Sequence, residues 1–182
     1  KIGYGDYEVA SKIDFEIVRG EKVVIAGENG RGKSTLLKTI AGRIPSLGGT
    51  FKWWHRANIG YYDQKTEATL KSTDTVLKYL TRMAPIDASS ERLLMMAGNF
   101  LFRNDDLDKS VSVLSGGERA RLCLAGVLLH EHNVLLLDEP TNHLDVETTE
   151  ALALALKEYK GTVIVISHAR TFINTLVDKV FE

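Results

Sequence analysis

The sequence is short of cysteine. Cys123 is the only one in 182 residues, so no internal disulfide can form and no thiolate cluster can hold a metal. That usage fits a reducing compartment, and a cytoplasmic location is expected. Proline is scarce at three residues, and neither an internal repeat nor a low-complexity stretch is evident, which excludes collagen-like and linker-like chains. No apolar run approaches the roughly 18 residues that cross a bilayer. The longest candidates, Leu122 to Leu129 and Val134 to Leu137, fall far short, so no membrane insertion is expected. An excess of either charge is also missing: 23 Lys and Arg against 24 Asp and Glu leave a net charge of -1. A global field that draws the chain to nucleic acid or anionic lipid is thereby excluded, and no direct sequence-specific nucleic-acid contact is expected, although a local basic patch stays open.

What remains is ordinary globular composition, with 44% hydrophobic and 26% charged residues, in a chain long enough for one domain with its own core. The chain opens at Lys1 without methionine and stops at Glu182 after an apolar Val180-Phe181 pair, so it is expected to be a piece of something longer.

Lys22 to Ala26 is a short apolar run that ends at Gly27, and after a glycine-rich turn Lys33 to Ala41 carries helical periodicity. Asn133 to Leu137 and Thr162 to Ile166 are apolar without alternation, as central parallel strands buried on both faces should be. Glu118 to His130, Val146 to Tyr159 and Arg170 to Val177 have helical composition. The alternation predicts an α/β fold, a parallel sheet flanked by helices. Phe15 to Val18, Thr50 to Trp54 and Asn58 to Tyr62 are β-prone and set off by glycines, which predicts a small antiparallel β subdomain. Thr73 to Ala84 and Ser89 to Phe102 read as helices with Ser, Thr or Asp caps. One domain is expected over residues 1–182, with 65–109 an inserted helical subdomain and 1–64 with 110–182 the core.

Gly27-Glu28-Asn29-Gly30-Arg31-Gly32-Lys33-Ser34 matches G-x-x-x-x-G-K-[ST] between a strand and a helix, the context that gives the motif its meaning. Gly27, Gly30 and Gly32 let backbone N–H groups curl around phosphate oxygens, and the helix N-terminus adds partial positive charge. Lys33 reaches the β and γ phosphates, and Ser34 can ligate Mg2+. Asn29 and Thr35 complete the candidate nucleotide-binding set. Asp138 and Glu139 follow the strand Asn133 to Leu137 at the phosphate edge of the sheet. Beside a P-loop, Asp138 is the natural partner of Mg2+ and Glu139 can polarise an attacking water as general base. The strand Thr162 to Ile166 delivers Ser167-His168 to the same edge, where an imidazole can meet the γ phosphate; alone, such a histidine is an ordinary surface or core residue.

Leu114-Ser115-Gly116-Gly117-Glu118 has two compatible readings. Ser115 and Glu118 form an S-x-x-E capping box for the next helix. Capping does not need two consecutive glycines, however, and a helix N-terminus with free N–H groups also attracts anions. The chain therefore has two candidate phosphate sites.

The P-loop, Gln64, the Leu114 to Glu118 signature, Asp138-Glu139 and His168 occur in the order of ATP-binding cassette (ABC) domains, which the whole chain resembles. The resemblance implies a P-loop ATPase core that binds ATP with Mg2+ and closes head to tail with a second cassette, in the same chain or as a homodimer. Ser115, Gly116, Gly117 and Glu118 of one cassette then cover the nucleotide held by the other. It also implies that Tyr4 stacks on adenine, with Tyr7 a nearby competitor. Gln64 senses Mg2+ and the attacking water, and Asn142-His143-Leu144-Asp145 communicates across the dimer. Cys123 reads as core and Trp53-Trp54 as packing or subsheet surface.

Pro140 to Asp145, joined to Ser115 to Arg121, resembles the ABC-F branch, whose members lack membrane domains and act largely on ribosomes. Phe100-Leu101-Phe102 and Tyr159 to Thr162 extend the likeness. The modest lobe after Gln64 resembles a second cassette. One departure is Ala169 after His168, where relatives usually carry aspartate, which implies a looser network around His168. Three classes stay in view: a translation-associated ATPase, which Asn142-His143 favours, the motor subunit of an ABC transporter, and a catalytically weak ATP-gated binding module.

Overall fold

The computed structural model describes residues 1–181; Glu182, which ends the sequence, lies outside the described residues. Among the described residues, thirteen helices and strands follow one another. They are β1 (Ile2–Tyr4), β2 (Tyr7–Ala10), β3 (Lys22–Ile25), α1 (Lys33–Ile40), β4 (Ile59–Tyr62), α2 (Val76–Met83), α3 (Ser90–Asn99), α4 (Gly116–Leu129), β5 (Val134–Asp138), α5 (Val146–Glu158), β6 (Thr162–Ile166), α6 (Arg170–Leu176) and β7 (Lys179–Phe181). Short 3₁₀ turns occupy Gln64–Thr69, Asn104–Asp106 and Val111–Val113.

Five strands form a parallel sheet in the order β4-β5-β6-β3-β7. Because successive strand residues face opposite sides, the sheet builds two cores. Val24, Leu135, Leu137, Val163 and Val165 pack with α2, α4, α5 and α6, while Ile25, Val134, Leu136, Ile164 and Ile166 pack with Leu37 and Ile40 of α1. Leu136 is fully buried, and its truncation to Ala costs about 2–5 kcal/mol. No helix among the described residues is long and apolar enough to cross a membrane.

The antiparallel expectation needs correction. A two-stranded antiparallel sheet exists, but β1 and β2 make it. Phe15 to Val18 and Thr50 to Trp54 form no strand. Ile59–Tyr62 pairs parallel with β5 instead, as the edge of the main sheet. Two asparagines set that edge: Asn58 N donates to Asn133 Oδ1 at 2.7 Å, and Asn133 Nδ2 donates to the Arg56 carbonyl at 2.7 Å. The opposite edge, β7, lies beside β3 and had no counterpart in the sequence reading.

Capping follows the expected chemistry. Thr75, Ser89, Ser115 and Asp145 side chains accept N–H bonds at the starts of α2, α3, α4 and α5. Trp53 Nε1 donates to the Ile40 carbonyl at 2.8 Å, and both tryptophans pack beside the α1 core. Lys22 is buried at the start of β3, where its ammonium donates to the carbonyls of Gly20, Tyr159 and Gly161 at 2.8 to 3.0 Å. Burial pulls its pKa down and the Asp178 carboxylate opposes the shift, while the three carbonyl acceptors tie the α5–β6 connection to the entry of β3.

Candidate functional site

The loop between β3 and α1 turns through Gly27, Gly30 and Gly32, with φ of 124°, 81° and 88°. Only glycine takes these values without steric cost. Gly32 is also where the β1–β2 hairpin leans on the loop, since a Cβ there would lie 2.8 Å from Val9 Cγ1. Lys33 Nζ folds back onto the carbonyls of Gly27 and Glu28 at 2.7 and 2.8 Å, so its cation sits inside the turn. Arg31, by contrast, pairs with Glu28 on the exposed outer side. Asn29 is exposed and Thr35 buried.

Ser34, on the first turn of α1, donates to Asp138 Oδ1 at 3.0 Å and so bridges the loop to the end of β5. Around that bond lies a cleft of about 250 Å³ lined by Ser34, Lys38, Asp63, Gln64, Glu67, Asp138, Glu139, Asn142 and His143, among others. Burial raises the Asp138 carboxyl, with Asp63 adding to the shift, while the Ser34 hydroxyl, Lys38 and Lys33 oppose it. Burial likewise raises Glu139, opposed by His168. The cleft thus places the Asp63, Asp138 and Glu139 carboxylates beside the Ser34 hydroxyl and the Gln64 and Asn142 amides. That is the hard donor set Mg2+ takes.

Glu139 has φ of 50° and His143 φ of 67°, left-handed values that side chains other than glycine and asparagine seldom adopt. Glu139 N donates to the Ile166 carbonyl at 2.9 Å, and His168 Nε2 comes within 3.3 Å of Glu139 Oε1. Thr141 and Ser167 hydroxyls meet at 3.0 Å, which joins the two strand exits. Ala169 supplies no side-chain cap to α6, and its N–H donates to Ser167 Oγ at 3.2 Å.

Ser34, Gln64, Asp138 and Glu139 therefore converge in one cleft, with His168 against Glu139. Tyr4 and the Ser115 to Glu118 segment do not line it. Tyr4 ends β1, half exposed, paired with the more exposed Tyr7. Ser115 to Glu118 opens α4 as a full capping box: Glu118 N donates to Ser115 Oγ and Ser115 N to Glu118 Oε2. Several cleft residues, Lys38, Asp63 and Glu67 among them, escaped the sequence reading. Lys38 follows Ser34 by four residues on the same helical face, a legible signal. Asp63 caps the turn that carries Gln64, and nothing beyond adjacency marks it.

A larger cavity, about 720 Å³, lies between residues 13–19 and 46–54 behind α1. It contains none of the motif residues, so size does not identify the reactive region.

The profile of the ABC transporter family matches residues 10–142. The chain is 44% identical over 172 residues to YdiF of Bacillus subtilis, named as an ATP-binding protein, covering 94% of this chain and 26% of that one. It is 41% identical over 181 residues to ABC transporter F family member 2 of Arabidopsis thaliana, covering 99% of this chain and 26% of that protein. Among solved structures, an archaeal ribosome recycling factor in complex with a ribosomal stalk protein aligns with a TM-score of 0.75 at 26% identity, covering 100% of this chain and 40% of that chain. The chain spans about a quarter to a third of the length of the curated relatives it matches.

Proposed function

The chain belongs to the ABC transporter family as an ATP-binding cassette with F-type relatives, and on that premise we propose that it hydrolyses ATP to drive a conformational cycle on the ribosome. The observation that carries the hydrolytic part is the convergence of Ser34, Gln64, Asp138 and Glu139 on one cleft beside the P-loop. ATP enters with its phosphates in the turn from Gly27 to Ser34, and Lys33 exchanges its two carbonyl partners for phosphate oxygens. Ser34 and Asp138, with Gln64, would hold Mg2+, which would supply charge neutralisation to the phosphates. Glu139 accepts a proton from the attacking water, and His168 steadies the γ phosphate from the neighbouring strand end. Tyr4 supports the adenine.

Ser115, Gly116, Gly117 and Glu118 lie outside the cleft, which supports a second cassette, in the same chain or a homodimer, as the holder of the nucleotide they cover. Closure is then the ATP state, and loss of the γ phosphate opens the pair. We assign residues 1–64 and 110–182 to the core and 65–109 to a helical lobe. The ribosome, in the cytoplasm, is favoured by the F-type relatives and by the aligned recycling factor with its stalk protein. With a net charge of -1, contact there depends on local patches or on segments outside this sequence.

The test is sedimentation of the full-length protein with ribosomes at fixed salt, with Glu139→Gln introduced here and at its counterpart. Retention in ATP but not ADP is expected. Absence of ATP-dependent retention together with capture of a membrane-domain protein assigns the chain to a transporter motor instead. ATP binding without turnover in the intact wild type assigns it to an ATP-gated binding module.

A further inference from the structure

The start of α4 is fastened to both loops that border the cleft. On one side Arg121 Nη1 donates to Asp145 Oδ2 at 3.4 Å, in the loop that follows Glu139. On the other, Arg119 Nε lies 3.9 Å from Glu67, in the turn that begins at Gln64. Arg121 is the more enclosed, with 17% of its side chain exposed. Its guanidinium sits 5.8 Å from the centre of the Phe102 ring, and its Nε is buried without an acceptor. A stability role alone explains that placement poorly, because a buried unpaired donor is costly. The same loop comes still closer at Gly117, where a Cβ would stand 2.9 Å from the His143 carbonyl. Any larger residue at 117 pushes the loop away.

We infer that Arg121 is a positioning residue, which with Gly117 locks the 142–145 loop of the cleft to the Ser115 end of α4 so that the two phosphate-facing parts of the chain move as one body. The inference rests on the ATPase reading and adds a coupling within one cassette between its own cleft and the surface it offers to a second cassette. Phe102 extends the tie to the segment after α3, so displacement of the helical lobe reaches Asp145 through one planar side chain. A rigid element with ties to both regions is the physical form such coupling takes.

Two substitutions test it in the full-length protein. Asp145→Asn removes the ion pair but keeps the cap, because Asn accepts the Thr148 N–H as well as Asp does. Arg121→Met removes the charge and keeps much of the apolar stem. The first readout is amide hydrogen exchange without nucleotide. Asn142 and Leu144, whose N–H groups bond the Glu139 and Thr141 carbonyls, should exchange about 3- to 30-fold faster in both variants, with the strands of the sheet unchanged. The second readout is kinetic. kcat should fall by about 3- to 30-fold while the Kd for ATP stays within about twofold, and Arg121→Lys should recover part of the loss. Wild-type exchange at Asn142 and Leu144 in both variants overturns the inference, as does an unchanged kcat. A wild type without ATP turnover sinks the ATPase reading instead, and the exchange result then decides the role of Arg121 by itself. Should Arg121→Met fail to fold, Asp145→Asn carries both readouts.

Discussion

His168 Nε2 stands 3.3 Å from Glu139 Oε1, across the exits of two adjacent parallel strands. The register that pairs Asp138 with Ile166 sets this distance, and the Glu139 N–H bond to the Ile166 carbonyl fixes it further. Ala169 plays no part in that bond, so the contact survives without the aspartate that resemblance led one to expect after the histidine. What Ala169 changes is the start of α6, which lacks a side-chain cap.

Replacing the base should separate binding from chemistry. Glu139→Gln keeps the shape and hydrogen-bonding capacity but loses the proton acceptor, so turnover falls by about 10²- to 10⁴-fold with ATP still bound. Steady-state phosphate release alongside equilibrium ATP binding checks this, and undiminished turnover would move the base to another residue.

Lys33→Ala should weaken ATP binding by about 10- to 100-fold, since a charge-assisted bond to phosphate is lost while the triphosphate keeps its charge. The substitution also frees the Gly27 and Glu28 carbonyls, which the Lys33 ammonium holds in the turn. Isothermal titration measures the loss, and wild-type affinity would refute the P-loop assignment.

The capping box at α4 predicts a pH signature. Ser115 N–H bonding holds the Glu118 carboxyl below its ordinary 4.5, so ionised Glu118 favours the folded state above that value. The contribution disappears as pH falls through the lower folded value. The gap in Tm between wild type and Glu118→Ala should therefore be largest near neutrality and shrink below 4.5. Ser115→Ala should cost about 0.5–2 kcal/mol, or about 2–4 °C per kcal/mol. A Tm gap that widens in acid contradicts the cap.

Cys123 is fully buried in α4, and burial pushes its thiol up to about 12. Alkylation by iodoacetamide at pH 8 should follow global unfolding, with about a hundredfold or greater protection in the folded chain. Rapid labelling under native conditions would mean that α4 opens locally.

The sequence made the reactive edge legible because each of its parts is local. Spacing within the P-loop, a carboxylate pair after an apolar strand and an S-x-x-E box all speak within a few residues. Strand partners were less legible. Ile59–Tyr62 has the aromatic, β-branched texture of either an antiparallel ribbon or a sheet edge, and only the distant Asn133 and Val134 decide between them. Lys179–Phe181 is a three-residue strand whose pairing depends on β3, and Asp178 Oδ2 accepting from Lys22 N helps seat it. Lys38 was readable from helical spacing, whereas the meeting of Gly117 with His143 was not, because the two are far apart in the chain.

The left-handed backbone at Glu139 and His143 places protein folding and protein use in opposition. A residue other than glycine or asparagine held there costs about 1–2 kcal/mol. A mutant library sorted by yield of folded protein should therefore enrich glycine and asparagine at both positions. The same library sorted by ATP turnover should discard them at 139 and keep glutamate. Sites where the two sorts disagree mark residues retained for what they do rather than for how they pack, and a consensus-guided stabilisation of this chain would erase its chemistry first at Glu139.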